Sequence, residues 1–204
     1  MVYTDFSELQ KSETAGRDYR ILQEVRKSPI AVMAPHGGDI EPGTSELAGA
    51  IAGLEYSFYA FEGIRQLHNR TLHITSTRFD EPDALAIAAN SDLVLTVHGH
   101  SGSDPVVYVG GLAAEVRREI ADRLSSYEFV VDSDPRYRGA GKTNLCNRCR
   151  SGAGVQLEIT RSLRALMFCD LTPPGRALPA PEMFCLFVDA VRQALSKYLS
   201  SPNF

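Results

Sequence analysis

Residues 31–47 read AVMAPHGGDIEPGTSEL, and this stretch decides the fold. A short continuous apolar run, PIAVMA from 29 to 34, has the pattern of a strand covered on both faces. The run ends at a histidine, turns on two glycines, passes two carboxylates and enters a segment ready to start a helix. A buried strand joined to a helix by a tight loop is the building unit of an α/β sheet.

The same alternation continues along the chain. YSFYAF (56–61) and LHITST (72–77) read as strands, and Asp80 or Glu81 before a proline opens an alanine-rich helix. LVLTV (93–97) and VVYVGG are further strands. A helix follows from about Ala113 to Leu124, with Val116, Ile120 and Leu124 on one stripe. FVV (129–131) and GVQLEI (154–159) complete the strands, and PEMFCLFVDAVRQALSKYL (181–199) closes the chain as a helix. The expected fold is therefore α/β, a single domain over residues 1–204 with a mixed, largely parallel sheet flanked by helices. Residues 1–25 are expected as a peripheral N-terminal segment.

Composition narrows the function. An apolar content of 44% with 23% charged residues is that of an ordinary soluble globular chain. A formal charge of −4 argues against a nucleic-acid partner, which requires a cationic surface. The first residues lack an apolar signal-like core and no run is long enough to span a bilayer, so no membrane partner and a cytoplasmic location are expected, with release by lysis an open route. The four cysteines (146, 149, 169 and 185) do not form a disulfide framework. Cys146 and Cys149 make a single CxxC pair without the second pair of a structural zinc site, and read as non-catalytic thiols.

Open α/β sheets bind ligands beyond the carboxyl ends of their strands. His36 follows AVMAP there, His98 follows LVLTV, and Glu41 lies five residues after His36 in a glycine-rich loop that can fold back. Two imidazoles and one carboxylate are a three-ligand zinc set with an open fourth position. Each residue alone has a plainer reading: a histidine beside a strand is more often structural, and Glu41 suits a helix entrance. Asp39 and Glu46 compete with Glu41 as the acid. His100 points to the same side as His98, so either could be the ligand. His98 is preferred because it ends the apolar strand directly, leaving His100 to contact substrate.

Glu158 interrupts an apolar strand, which is costly unless the carboxylate is paired or employed. It could serve as a general base, or form an ion pair with Arg161 or Arg164. From 136 to 164, Arg136, Arg138, Lys142, Arg148, Arg150, Arg161 and Arg164 face only this one acid. That surplus suggests an anionic substrate, with Arg78 a further contact, although a solvated basic face is the commoner outcome.

PHGGDIEPGTSELA, LHITSTRFDEP, VHGHSG and GVQLEITRSLR, in this order, resemble the phage-type poly-γ-glutamate hydrolase family from about Ile30 onward. The resemblance implies a fold similar to the zinc carboxypeptidases and a Zn²⁺-dependent cleavage of γ-glutamyl amide bonds. It places the metal ligands on His36, Glu41 and His98 and the catalytic glutamate on Glu158. Arg148, Arg161, Arg164, Arg78 and His100 are then the candidate contacts to an anionic γ-glutamyl polymer or peptide. Alternative readings are a zinc peptidase or amidase acting on cell-wall γ-linkages or N-acyl amino acids, and a non-catalytic anion-binding domain. The oligomeric state is not legible.

Overall fold

The computed structural model of the protein describes residues 3–178 and 181–200. Among them, β1 (Tyr19–Glu24), β2 (Ile30–Gly38), β3 (Ser57–Gly63), β4 (Leu93–His100), β5 (Val106–Gly111), β6 (Val130–Asp132) and β7 (Val155–Thr160) form one sheet. Its order is β1-β3-β2-β4-β7-β5-β6. The pairs β2–β3, β2–β4, β4–β7 and β5–β6 are parallel, while β1–β3 and β5–β7 are antiparallel. The mixed, largely parallel α/β sheet read from the sequence is the one observed.

Two apolar layers sandwich the sheet. On one face lie α2 (Thr44–Ala52), α4 (Ala114–Ser126), α5 (Arg161–Met167) and α7 (Glu182–Leu199), which bury Leu47, Ile51, Ile120, Leu163, Phe187 and Leu195. The other face is covered by α1 (Phe6–Leu9) and α3 (Pro82–Ala89), through Phe6, Leu9, Ala84 and Ile87. A short α6 (Pro173–Arg176) precedes α7. The α3 start follows the expected rule: Glu81 caps it by accepting from the Asp83 and Ala84 amides, with Pro82 in the first turn. No described helix is long and apolar enough to cross a membrane.

Two expectations are corrected. LHITST is not a strand: a 3₁₀ turn, Asn69–Leu72, runs into irregular backbone. Its alternation is real, because Leu72 and Ile74 are fully buried, but they pack over the sheet face instead of pairing in it. The N-terminal segment, whose residues 1 and 2 lie outside the described part, is not peripheral. It contributes the edge strand β1, and Phe6 packs edge-on against Tyr19 and Phe61 at ring separations of 5.8 and 6.0 Å.

The topology creates the crevice. Leaving β2, the chain steps first to β3 on one side and later to β4 on the other, so the order in which strands are added reverses between β2 and β4 although the two run parallel. Their pairing stops at Met33 opposite Thr96, and β2 is irregular between Ala34 and Gly37. The pairing of β4 with β7 continues to His100 opposite Thr160. The carboxyl ends of β2 and β4 therefore part, which is where open sheets of this kind bind ligands.

Truncating a buried phenylalanine costs about 3 to 5 kcal/mol. Phe6→Ala should therefore lower the denaturant-derived unfolding free energy by an amount in that range. A change below about 1 kcal/mol would return the N-terminal segment to the periphery.

Candidate metal centre

The loop after β2 folds back on itself through one backbone bond, from the Glu41 amide to the His36 carbonyl, at 2.9 Å. Thr44 reinforces it by donating its hydroxyl to the Glu41 carbonyl at 2.9 Å. Gly38 is needed here, because its φ of +60° lies in the left-handed region and a Cβ would stand 2.5 Å from the Gly63 carbonyl of β3. This closure brings the Glu41 side chain beside His36.

The donors converge across β2 and β4. His36 Nδ1 lies 3.1 Å from His98 Nδ1 and 3.3 Å from Glu41 Oε1, and His98 Nδ1 lies 3.8 Å from Glu41 Oε2. One donor atom from each of the three residues falls within 4.8 Å of the others. The outer nitrogens point away: His36 Nε2 lies 2.6 Å from the Ile74 carbonyl and His98 Nε2 lies 3.4 Å from the Ser76 hydroxyl. A carbonyl only accepts, so the His36 proton sits on Nε2 and its Nδ1 lone pair faces inward. The irregular 72–77 segment thus supplies the backbone that orients the first imidazole.

The electrostatics favour a neutral His98 imidazole and an ionised Glu41. Burial, then the neighbouring His36, pushes the His98 imidazole down to about 3. Burial pushes Glu41 upward, but His36, His73 and His98 outweigh it and hold the carboxyl well below its ordinary range. Two imidazole nitrogens and one carboxylate, converging in a nearly dry pocket, are donors that fit a divalent cation of the zinc type. The residues present therefore suit zinc, the metal that the sequence reading implied.

Gly99 links this centre to its support. Its amide donates to Glu41 Oε2 at 2.8 Å. Behind it lies the guanidinium of Arg164, which donates to the carbonyls of Ile159 and His100 at 3.2 and 3.3 Å and also to that of Pro42. Burial pushes Arg164 down to about 10, so it remains charged. It braces the Glu41 loop against β4 and makes no ion pair with Glu158.

Glu158 stands opposite His98 on β7, with Tyr108 of β5 on its other side. Asn144 donates to Gln156 Oε1 at 2.9 Å, and Gln156 donates to Glu158 Oε1 at 2.8 Å, so a relay of amides sets the carboxyl. Burial first, then the charge of Glu41, raises Glu158 to about 8. Such a group exchanges protons near neutrality, as a general base and acid must.

All four groups line one cavity of about 530 Å³. It holds four of the chain's five histidines, 36, 73, 98 and 100. His73 is the functional candidate that sequence reading missed. Its ring stacks on His36 with centroids 3.9 Å apart, and its Nε2 lies 3.6 Å from Glu41 Oε1. The available signal was a histidine between two apolar residues, which the strand assignment absorbed. His100 is held differently: its Nδ1 accepts from the Gly102 amide at 3.1 Å, and its ring stacks on Tyr137. That leaves its proton on Nε2, which is buried and has no hydrogen-bond partner among the described residues.

The candidate arginines divide. Arg161 and Arg164 line a small cavity of about 150 Å³ on the other side of Glu41, together with Arg70. Arg148 is spent on the carbonyls of Thr143, Phe79 and Thr77 at 2.8, 3.2 and 3.3 Å. Arg78 is exposed and borders neither cavity. Arg136 pairs with Asp134 and Arg150 with Asp92. Cys146 and Cys149 are buried, and burial pushes the Cys146 thiol up to about 12, an unreactive state.

The family model described as poly-gamma-glutamate hydrolase matches residues 3–190. The chain belongs to the poly-γ-glutamate hydrolase family. A structure of a bacteriophage poly-gamma-glutamate hydrolase superposes with a TM-score of 0.94 at 31% identity, covering 98% of each chain. A zinc-free apo structure of YndL superposes with a TM-score of 0.92, covering 97% of this chain and 98% of that one. YndL of Bacillus subtilis (strain 168) is 34% identical over 93% of this chain and 76% of its own length. The SPbeta prophage-derived protein YoqZ of the same organism is 38% identical over 96% of this chain and 72% of its own. Poly-γ-glutamate hydrolase likeness thus spans the whole sheet, including β1 and α1.

Two outcomes test this geometry. A Cβ on residue 99 would stand 2.5 Å from Arg164 Cζ, a group fixed by three carbonyls. Gly99→Ala should therefore weaken zinc binding by roughly 10- to 100-fold in a chelator competition, and unchanged affinity would contradict the bracing role. The second outcome concerns Glu158 in the metal-free protein. Between its ordinary 4.5 and about 8, the unfolded carboxyl is ionised while the folded one keeps its proton, so stability falls as pH rises through that window. Glu158→Gln removes this penalty. Its melting temperature should exceed that of the parent at pH 8 and match it at pH 4, and equal melting at both would show an unperturbed carboxyl.

Proposed function

We propose that this protein is a zinc-dependent hydrolase of γ-glutamyl amide bonds, with poly-γ-glutamate as its substrate. The observation that carries the reading is the meeting of two kinds of group at the ends of β2, β4 and β7. One is a donor set of two imidazoles and a carboxylate, and the other is a carboxyl group raised to about 8. Family membership supports the same chemistry.

His36, Glu41 and His98 would hold the zinc. When bound, zinc polarises an amide carbonyl and lowers the pKa of water, which makes attack feasible at neutral pH. Glu158 takes the proton from the attacking water and passes it to the departing nitrogen as the C–N bond breaks. Gln156 keeps that carboxyl aimed while it changes protonation state. His100 lines the same cavity with its ring stacked on Tyr137.

Every γ-linked glutamyl unit leaves its α-carboxylate free, so a substrate chain brings one negative charge per residue. The small cavity beside Glu41, with Arg161 exposed at its rim and Arg70 also lining it, is suited to one of these carboxylates. Arg148 and Arg78 have no part in this reading, the first because its donors are used by the backbone and the second because it borders neither cavity.

The test combines a zinc-dependent depolymerisation assay with one substitution. Wild type should shorten poly-γ-glutamate, lose activity to a chelator and regain it with zinc. Glu158→Gln should keep stoichiometric zinc while kcat falls about 10²- to 10⁴-fold. Near-normal turnover by that variant would remove Glu158 as the base. Cleavage confined to γ-linked cell-wall peptides would remove the polymer as substrate.

A further inference from the structure

A second cavity of about 370 Å³ lies behind one wall of the main cavity, and the reaction described above leaves it unused. The two cavities share Pro135, Tyr137, Arg138 and Ala140, so the segment they belong to is a partition with one face on each. That partition is firmly fastened. The Arg138 carbonyl accepts from the Gly111 amide at 2.7 Å, and Asn147 donates to the carbonyls of Gly139 and Gly141 at 2.7 and 3.0 Å.

The far cavity is cationic. Arg117, from the first turns of α4, and Arg138 both line it, and neither forms an ion pair among the described residues. Two guanidinium groups on one cavity lining, neither with a carboxylate partner among the described residues, are complemented by an anionic acceptor from outside the chain. The one acid on this lining, Asp134, is committed to Arg136, whose Nη2 lies 2.6 Å from it. Tyr108 and Tyr137 add aromatic walls to the cationic floor.

We infer that this cavity is a second carboxylate-binding site that anchors a γ-glutamyl chain beyond the partition, away from the bond being cut. The inference rests on the reading of the substrate as a γ-linked polyanion. An anchor remote from the reacting atoms holds ground state and transition state alike, so it lowers KM without raising kcat. It also acts only on chains long enough to cross the partition.

The experiment compares steady-state hydrolysis of long poly-γ-glutamate with that of a short γ-linked glutamate oligomer, using the zinc-loaded protein. Arg117→Gln should raise KM for the polymer about tenfold, with kcat and both constants for the oligomer unchanged. Leu112→Glu places an acid on the exposed rim of the same cavity without touching the core, and should act in the same direction even where Arg117→Gln fails to fold. An unchanged polymer KM in Leu112→Glu, or an equal change on both substrates, overturns the site. Should wild type cleave neither substrate, the proposed function fails instead. Anisotropy of labelled poly-γ-glutamate then decides: weaker binding to Leu112→Glu supports the anchor, and equal binding refutes it.

Discussion

The carboxylate of Glu41 lies between two imidazoles whose Nδ1 atoms face each other at 3.1 Å, and the rest of the site is arranged around that convergence. Three electron-rich groups in a nearly dry pocket repel one another unless a positive charge joins them. Holding them together requires support from elsewhere, and each has its own. His36 is oriented by the Ile74 carbonyl, His98 by its strand and Ser76, and Glu41 by the Gly99 amide. Ile74, Ser76 and Gly99 each lie on a different element from the group they hold, so the centre depends on the whole β2–β4 crevice.

Arg164 carries this dependence outward. Its guanidinium reaches three backbone carbonyls on the Glu41 loop, the end of β4 and the end of β7. An arginine in the basic 136–164 stretch looks like a substrate contact when read as a charge. Here its burial and three carbonyl partners make it a clamp that also borders the small cavity beside Glu41. Glu158 is set by a separate relay through Gln156 and Asn144, so the proposed base is aimed by different partners from those that hold the proposed metal ligands. Burial and the charge of Glu41 keep the proton on Glu158 near neutrality, while the histidines around Glu41 hold that carboxyl ionised.

The sequence exposed this arrangement unevenly. The strands of the sheet centre were legible because β2 and β4 are apolar on both faces, and His36 and His98 were visible as polar residues ending those runs. Glu158 stood out for the same reason, as a charge inside an apolar strand. LHITST misled because buried loop residues can alternate like a strand, and with it went His73 and the role of Ile74. The N-terminal segment misled because a short helix and a half-exposed edge strand leave little periodicity, although Phe6 and Leu9 are core residues. Roles set by three-dimensional partners could not be read at all: the backbone contacts of Arg148 and the placement of Arg117 and Arg138 on one cavity lining both bring together separate parts of the chain.

The central claim is that His36 and His98 present Nδ1, with Glu41, to a single zinc ion. Titration of zinc into ¹⁵N-histidine-labelled protein, followed by imidazole nitrogen NMR, tests it most directly. Saturation at one equivalent is expected, with large shifts at Nδ1 of His36 and His98 and their protons retained on Nε2. Shifts at Nε2 of those rings, or zinc-dependent shifts centred on His73 and His100 instead, would contradict it.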